Sequence, residues 1–238
     1  MLTIVIPTYK EAKNLDVLLP QIYKTLSPVY PDLKILLVDD ASNDGIEEVV
    51  WRHNQACGGS IILNIRKKNK GLASAWQDGI MNSTTPLIGI MDADLAHDPR
   101  DMLRMAEKLI SADMVIGSRY LPGHVAVMEG KSPLATYLSE IGQGLGRLIL
   151  GLRIYDMSHS LRVFRREVSK KVLPLLTCNG NAMMVEFTFH TQQQGFRIAE
   201  IPVTYGKRLH GETKLGVVKE GLKFLKILWR LKTTSSPK

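Results

Sequence analysis

A mixed α/β fold on a mostly parallel sheet is predicted by three features of this 238-residue chain. Apolar runs of strand length alternate with segments of helical period throughout the first half. Those runs are apolar on consecutive residues rather than on alternate ones, which marks strands covered on both faces. Polar and charged residues collect directly after the runs, at the carboxyl ends where such sheets bind ligands.

The elements follow in order. "LTIVIPT" at 2–8 is a strand, followed by Tyr9 and Glu11, and helical spacing then runs over 14–26. "LKILLVDD" at 33–40 ends in Asp39 and Asp40, and the "DDASNDG" that it opens is dense in turn and N-cap residues. One of these two acids is expected to be structural, and Asp40 is placed to hydrogen-bond a base or ribose, as acids do in nucleotide folds. A helix over 46–55, a strand over 60–65 and a helix over 71–81 lead to "LIGIMD" at 87–92. Pro99 opens a helix to 110, and "DMVIGSR" at 113–119 ends in Arg119.

The second half reads differently. Apolar residues at helical spacing predict a long amphipathic helix over 134–152. Its "GQGLG" follows no strand, so the small residues point to close helix packing or membrane contact rather than to a dinucleotide fingerprint. A short strand at 160–165, helices near 167–176 and 182–194, and a strand at 196–205 come next. In the closing "TKLGVVKEGLKFLKILWRLK", Lys219, Lys223, Lys226 and Arg230 share one helical face, and Val218, Leu222, Leu225 and Trp229 another. Such a helix packs on its own sheet or lies in a membrane interface, and the concentrated positive charge favours the interface.

Composition narrows the classes. With 45% hydrophobic and 23% charged residues, the chain suits a globular core. The start at a strand-like segment reads as no signal peptide. Cys57 and Cys178 are too few for a disulfide or zinc framework, which fits a reducing compartment. No apolar run approaches the roughly 20 residues of a membrane span. The net charge of +8 suggests nucleic acid, an anionic membrane surface or a phosphate-rich substrate. Without a basic recognition helix, RNP-like aromatics or a zinc module, nucleic acid is not an expected partner.

The chemistry centres on "LIGIMDADLAHDP", which places Asp92 and Asp94 just after a buried run. Carboxylates this close repel unless a cation or proton neutralises them. A solvated turn is the plain reading, since Asp is a common turn residue. Two apart on an extended segment, however, the pair would point the same way and face one metal. Hard cations such as Mg2+ or Mn2+ take a carboxylate or two and complete their shell with substrate phosphates.

The ordered set "IVIPTYKEAKNL", "LLVDDASNDG", "KGLASAWQDG", "IMDADLAHDP", "GSRY" and "RLHGETKLG" resembles family 2 glycosyltransferases of the GT-A fold. Within them it is most similar to the dolichol- or polyprenyl-phosphate mannosyltransferase branch. The resemblance runs from Thr3 to about Gly216. It implies a catalytic domain over 1–212 and a basic amphipathic helix and tail over 213–238. Pro7, Tyr9 and Glu11 would line the nucleotide pocket, Val38 and Asp40 would contact the base, and Asp92, Ala93 and Asp94 would hold the metal and the donor diphosphate. Arg119, Arg208 and Lys214 would bind phosphates, with Asp94, Arg208 and Lys214 as the catalytic set. For Arg119 the plain alternative is an ion pair with a nearby acid, and for Arg208 and Lys214 a charged loop.

Two departures stand out. Ala96 occupies a place where the family often has Ser or Gln, which removes an oxygen near the metal. His159, in "DMSHSLRVFRREV", stands where the family has a small residue. The implied reaction is inverting transfer of mannose from GDP-mannose to dolichyl or polyprenyl phosphate at the cytoplasmic face of a membrane. The chain would sit there peripherally, unaided or through a small membrane-anchoring subunit. A lipid phosphate is largely dianionic at neutral pH because its second pKa lies near about 6, so it needs no strong general base. A hydroxyl acceptor would need one, and Glu186 and His159 are the side chains on offer. The alternatives are a UDP-sugar-dependent polyprenyl-phosphate glycosyltransferase, such as a glucosyltransferase, and a non-catalytic nucleotide-binding adaptor.

Overall fold

A computed structural model describes residues 1–68, 70–123, 133–203, 206 and 217–234. The five strands expected in the first half form as β1 (Leu2–Thr8), β2 (Lys34–Asp39), β3 (Ile61–Ile65), β4 (Leu87–Ile90) and β5 (Met114–Ser118). Between them lie α1 (Ala12–Leu26), α2 (Ile46–Ala56), α3 (Leu72–Asn82) and α4 (Pro99–Lys108). The second half supplies α5 (Pro133–Leu150), β6 (Arg162–Arg165), α6 (Arg166–Val172) with a 3-10 turn at Leu173–Leu175, α7 (Ala182–Gln193), β7 (Ile198–Pro202) and α8 (Val217–Thr234).

The seven strands form one sheet in the order β3-β2-β1-β4-β6-β5-β7. Every pairing is parallel except those of β6, which runs against both β4 and β5. That reversal shapes the site. Arg162, the first residue of β6, pairs with Ile90 at the end of β4 and with Ile116 in β5. The loop before β6 therefore arrives at the same edge as the carboxyl ends of the other strands.

Successive strand side chains point to opposite faces, so a continuous apolar run fills two layers. Leu2, Ile4 and Ile6 of β1 pack with Leu15, Leu18, Leu19 and Ile22 of α1 and with Met102 and Met105 of α4. Val5, with Val38 of β2, packs on the other face against Trp76 and Ile80 of α3, joined by Phe187 of α7. Close approach on that side depends on Gly79 of α3, where a Cβ would stand 2.2 Å from Val5 Cγ1. Asp98 caps α4 by accepting from Arg100 N at 2.8 Å, with Pro99 in its first turn.

A third cluster joins Leu150 of α5, Leu152, Met157, Val185 and Phe189 of α7, and Leu228 and Leu231 of α8. The "GQGLG" glycines serve packing: a Cβ on Gly146 would meet Met157 Cε at 2.8 Å and Phe224 Cζ at 3.3 Å. The rest of the apolar pattern of α5 is turned outward. Tyr137, Leu138, Ile141, Leu145 and Leu148 are exposed, Leu148 at 81%. Leu225 and Trp229 of α8 are exposed as well, Trp229 at 74%. The apolar face read in the C-terminal sequence is thus not the one α8 buries; the side chains of Val218, Lys219, Leu222 and Lys223 lie outside the described residues. Among the described residues, no helix is long and apolar enough to cross a membrane.

Candidate active site

At the carboxyl edge of β1 and β2 the two neighbouring acids take different roles. Asp39 accepts from Thr8 Oγ1 at 3.0 Å, from Ser42 N at 2.8 Å and from the Ser42 hydroxyl, while Ser42 Oγ also receives Lys10 N at 2.8 Å. It is the structural acid, tying the β1–α1 loop to the β2–α2 loop. Asp40 accepts from Gly71 N at 2.7 Å and from the Arg66 guanidinium. Arg66 also donates to Asp78 Oδ2 at 2.9 Å, Ser74 Oγ at 3.0 Å and the Gly71 carbonyl at 3.1 Å. A buried guanidinium with two carboxylates and a carbonyl around it fixes Asp40 in place.

Pro7 and Val38 are partners in the β1–β2 ladder and both are buried. Pro7 lies past Val5, the last β1 residue paired with β4, so its missing N–H breaks no bond of that ladder. Tyr9 is 57% exposed beside them, and Glu11 accepts from Asn14 Nδ2 at 2.5 Å.

The stretch after β4 is a turn, contrary to the extended geometry expected for Asp92 and Asp94. The strand ends at Ile90, residues 93–95 bend, and Leu95 has φ +64°. The cause is local: Asp94 Oδ1 accepts from Ala96 N at 3.1 Å, closing an Asx turn on its own backbone. Asp92 is held from across the sheet, its Oδ2 accepting from Ser160 Oγ at 2.7 Å, with His97 Nε2 at 3.9 Å. Asp92 N donates to His97 Nδ1 at 3.3 Å. Ala93 is buried between the two acids, and Ala96, where the family often has an oxygen, accepts from Gly206 N at 3.0 Å through its carbonyl.

No group of three or more His, Cys, Asp or Glu side chains gathers as a metal cage among the described residues. Two carboxylates and no thiolate suit a hard cation that keeps its remaining positions for water and phosphate oxygens.

Arg119 follows β5 and its fork is engaged. Nε donates to Asp156 Oδ2 at 2.7 Å and Nη2 to Asp156 Oδ1 at 3.0 Å, with Ser158 Oγ at 3.4 Å. The ion pair named as the plain alternative for Arg119 is present. Burial pushes the Asp156 carboxyl up, but the Arg119 guanidinium outweighs it and holds the group at about 2. Glu200 of β7 accepts from Tyr155 N and Asp156 N at 2.8 and 2.9 Å, and burial raises its carboxyl. Arg162 is fully buried, donates to the His159 carbonyl and is lowered to about 9 by burial.

Neither side chain offered as a general base is open to an acceptor, since Glu186 is 2% and His159 3% exposed. His159 Nδ1 donates to the Gly117 carbonyl at 2.6 Å, and its ring meets His97 edge-on at 5.0 Å. Burial, reinforced by Arg119, keeps His159 neutral, with a pKa well below the usual histidine range. Glu186 accepts from Thr177 N at 2.8 Å, Cys178 N at 2.7 Å, Thr177 Oγ1 at 2.9 Å and Arg230 Nη2 at 2.8 Å. Burial raises its carboxyl, but these donors prevail and lower it. Glu186 thus joins α7, the loop before it and α8.

The edge brings together Pro7, Tyr9, Glu11, Val38, Asp40, Asp92, Ala93, Asp94 and Arg119, whereas Arg208 and Lys214 lie outside the described residues. Sequence reasoning missed Arg66, Asp78, Asp156 and Ser160. Arg66 was findable, standing immediately after an apolar run like the acids. Asp156 and Ser160 precede their strand, and only the reversal of β6 brings them to this edge.

Residues 3–173 match the family described as Glycosyl transferase family 2. The chain belongs to that family. It is 32% identical over 225 residues to an undecaprenyl-phosphate mannosyltransferase of Micrococcus luteus, covering 92% of this chain and 89% of that protein. It is 29% identical over 217 residues to a polyprenol monophosphomannose synthase of Mycolicibacterium smegmatis, covering 89% and 80%. Among solved structures, glucosyl-3-phosphoglycerate synthase of Mycobacterium tuberculosis with Mn2+, UDP and glucosyl-3-phosphoglycerate superposes with a TM-score of 0.69. That match is at 14% identity and covers 100% of this chain and 81% of the other. The fold is that of the GT-A sugar transferases, and the family makes this chain a transferase of sugars.

Proposed function

We propose that the chain transfers mannose, with inversion, from GDP-mannose to a dolichyl or other polyprenyl phosphate at the cytoplasmic face of a membrane. The observation that carries the acceptor is the engagement of Glu186 by Thr177, Cys178 and Arg230, together with the burial of His159, which is 3% exposed. A hydroxyl nucleophile needs a positioned base, whereas a phosphate dianion brings its own charge. The two relatives named for polyprenyl-linked mannose support the same acceptor and sugar.

In this reading Val38 and Asp40 receive the base, with Arg66 fixing Asp40, and Pro7, Tyr9 and Glu11 line the nucleotide pocket. Asp92 and Asp94 would hold Mg2+ or Mn2+, which when bound screens the charge of the leaving diphosphate. Ser160 bonds the first of these carboxylates and the Ala96 amide the second. Arg208 and Lys214 supply further positive charge to donor or acceptor phosphates, while the Arg119 charge is balanced by Asp156. Residues 1–212, together with Lys214, do the chemistry, and the C-terminal helix joins α5 in presenting an apolar, basic face to the bilayer or to a small membrane subunit.

The test is radiolabelled sugar transfer to a short polyprenyl phosphate, from GDP-mannose and from UDP-glucose, with and without Mg2+ or Mn2+. Metal-dependent label from GDP-mannose, lost in Asp94→Asn, is the expected result. Label from UDP-glucose alone moves the protein to a glucosyl donor, and none from either leaves a binding subunit.

A further inference from the structure

The outward apolar stripe of α5 ends in a groove of about 410 Å³ whose chemistry is different. Leu148 lies on one side of it, and Arg147, Arg153 and Tyr155 line the rest with Gly144 and Leu152. Two cations thus stand at the rim of an exposed apolar surface. Neither has a carboxylate within ion-pair distance among the described residues.

The Arg147 side chain and the Arg153 backbone are held. The Arg147 guanidinium lies over the Tyr155 ring, its carbon 4.2 Å from the ring centroid, which restrains the side chain. The chain then reverses at Gly151, with φ +65°, and Leu152 N returns to the Arg147 carbonyl at 3.1 Å. Arg153 follows at once, its N donating to Gln192 Oε1 at 3.1 Å, while Gln192 Nε2 binds the Gly151 carbonyl at 2.8 Å. The turn therefore sets the backbone of Arg153 against α7 and places both guanidinium-bearing residues on one groove.

We infer that this groove is a headgroup site for an anionic phospholipid of the bilayer, distinct from the catalytic edge. Arg147 and Arg153 take the phosphodiester oxygens, and the acyl chains lie along Leu148 and Leu145. A planar fork suits phosphate oxygens, and an apolar wall beside it suits a phosphate that carries hydrocarbon better than one free in solution. The inference rests on the reading that α5 and α8 face a membrane, and it adds which lipid they select. It also gives the positive charge of the chain a located task, apart from donor binding.

Vesicle flotation of the full chain tests it, with phosphatidylcholine alone and with phosphatidylglycerol added. Emission of Trp229 reports insertion independently, read as the difference from Trp229→Phe because Trp51 is also exposed. Phosphatidylglycerol should strengthen binding, and Arg147→Gln with Arg153→Gln should weaken it by more than the roughly twenty-five-fold that charge alone supplies at about fivefold for each cation near a charged surface. Arg147→Lys with Arg153→Lys keeps the charge and the stems but not the forks, so it should keep that charge-derived part and lose the remainder. If the lysine variant binds like the parent, diffuse charge suffices and the site is overturned. Displacement by inorganic phosphate at equal phosphate concentration would also overturn it in favour of a soluble ligand. Equal binding to both vesicle types, with a Trp229 shift, overturns the site but leaves the membrane reading standing. No Trp229 shift on any vesicle removes both.

Discussion

Asp156→Asn tests the internal support of the site. The substitution keeps size and shape but removes the negative charge that Arg119 grips through two N–H bonds, at 2.7 and 3.0 Å. It also removes the carboxylate whose charge favours the buried Arg162 cation. Lowering Asp156 from 3.8 to about 2 corresponds to about 2–3 kcal/mol at neutral pH. Removing one partner of a buried ion pair costs about 3–5 kcal/mol in measured cases, because the other charge stays behind. A loss of about 2–5 kcal/mol is therefore expected, read as a fall in the urea midpoint by far-UV circular dichroism. Because the native carboxyl is depressed, the parent keeps this contribution above its unfolded value of 3.8 and loses it as pH falls through about 2. Adding Arg119→Gln to Asp156→Asn should restore part of the loss, since no orphaned charge then remains. A single variant within about 0.5 kcal/mol of the parent, or a double variant whose losses simply add, would refute the reasoning.

Three further outcomes follow from other parts of the structure. Arg66→Lys cannot span Asp40, Asp78 and the Gly71 carbonyl together, so the donor KM should rise about tenfold in steady-state kinetics, with a smaller change in kcat. Gly79→Ala drives a methyl into Val5 and should cost about 1–3 kcal/mol in denaturant unfolding without changing the donor KM. His159 is neutral in the native protein but takes up a proton near its ordinary value of 6.5 once unfolded, so stability is lost as pH falls below that value. Between pH 6.5 and 5 the fall should approach about 1.4 kcal/mol per pH unit from this ring, and His159→Ser should show a slope shallower by about that amount. His190, also lowered by burial, contributes in the same direction to both proteins and does not affect the difference.

Much of the fold was legible because consecutive apolar residues in strands and helical spacing between them are strong local signals. β1 and β2 end where their apolar runs end, and the acids after them reach one edge because parallel strands share a direction. What escaped was long-range. Nothing local to "DMSHSLRVFR" tells that β6 is reversed, so Asp156 and Ser160 were not seen as neighbours of Arg119 and Asp92. The paired acids also misled locally: their spacing suggested one extended face, but the Asp94 carboxylate binds the Ala96 amide and turns the chain. In α8 the sequence grouped Leu225 with Trp229, and that face is the exposed one, because Leu228 and Leu231 meet α5 and α7 instead. Helical spacing identifies an apolar stripe but not whether protein or lipid covers it.

The central claim is that the nucleophile is a lipid phosphate, and the most direct measurement compares two acceptors that differ in that group alone. The full chain is given radiolabelled GDP-mannose, Mn2+ and either a short polyprenyl phosphate or the corresponding polyprenol, and the extracted lipid is analysed by mass spectrometry. The account predicts mannose joined through phosphate to the first acceptor and no mannosyl polyprenol from the second. Transfer to the alcohol at a comparable rate would contradict it, since a base that the account does not contain would then be at work.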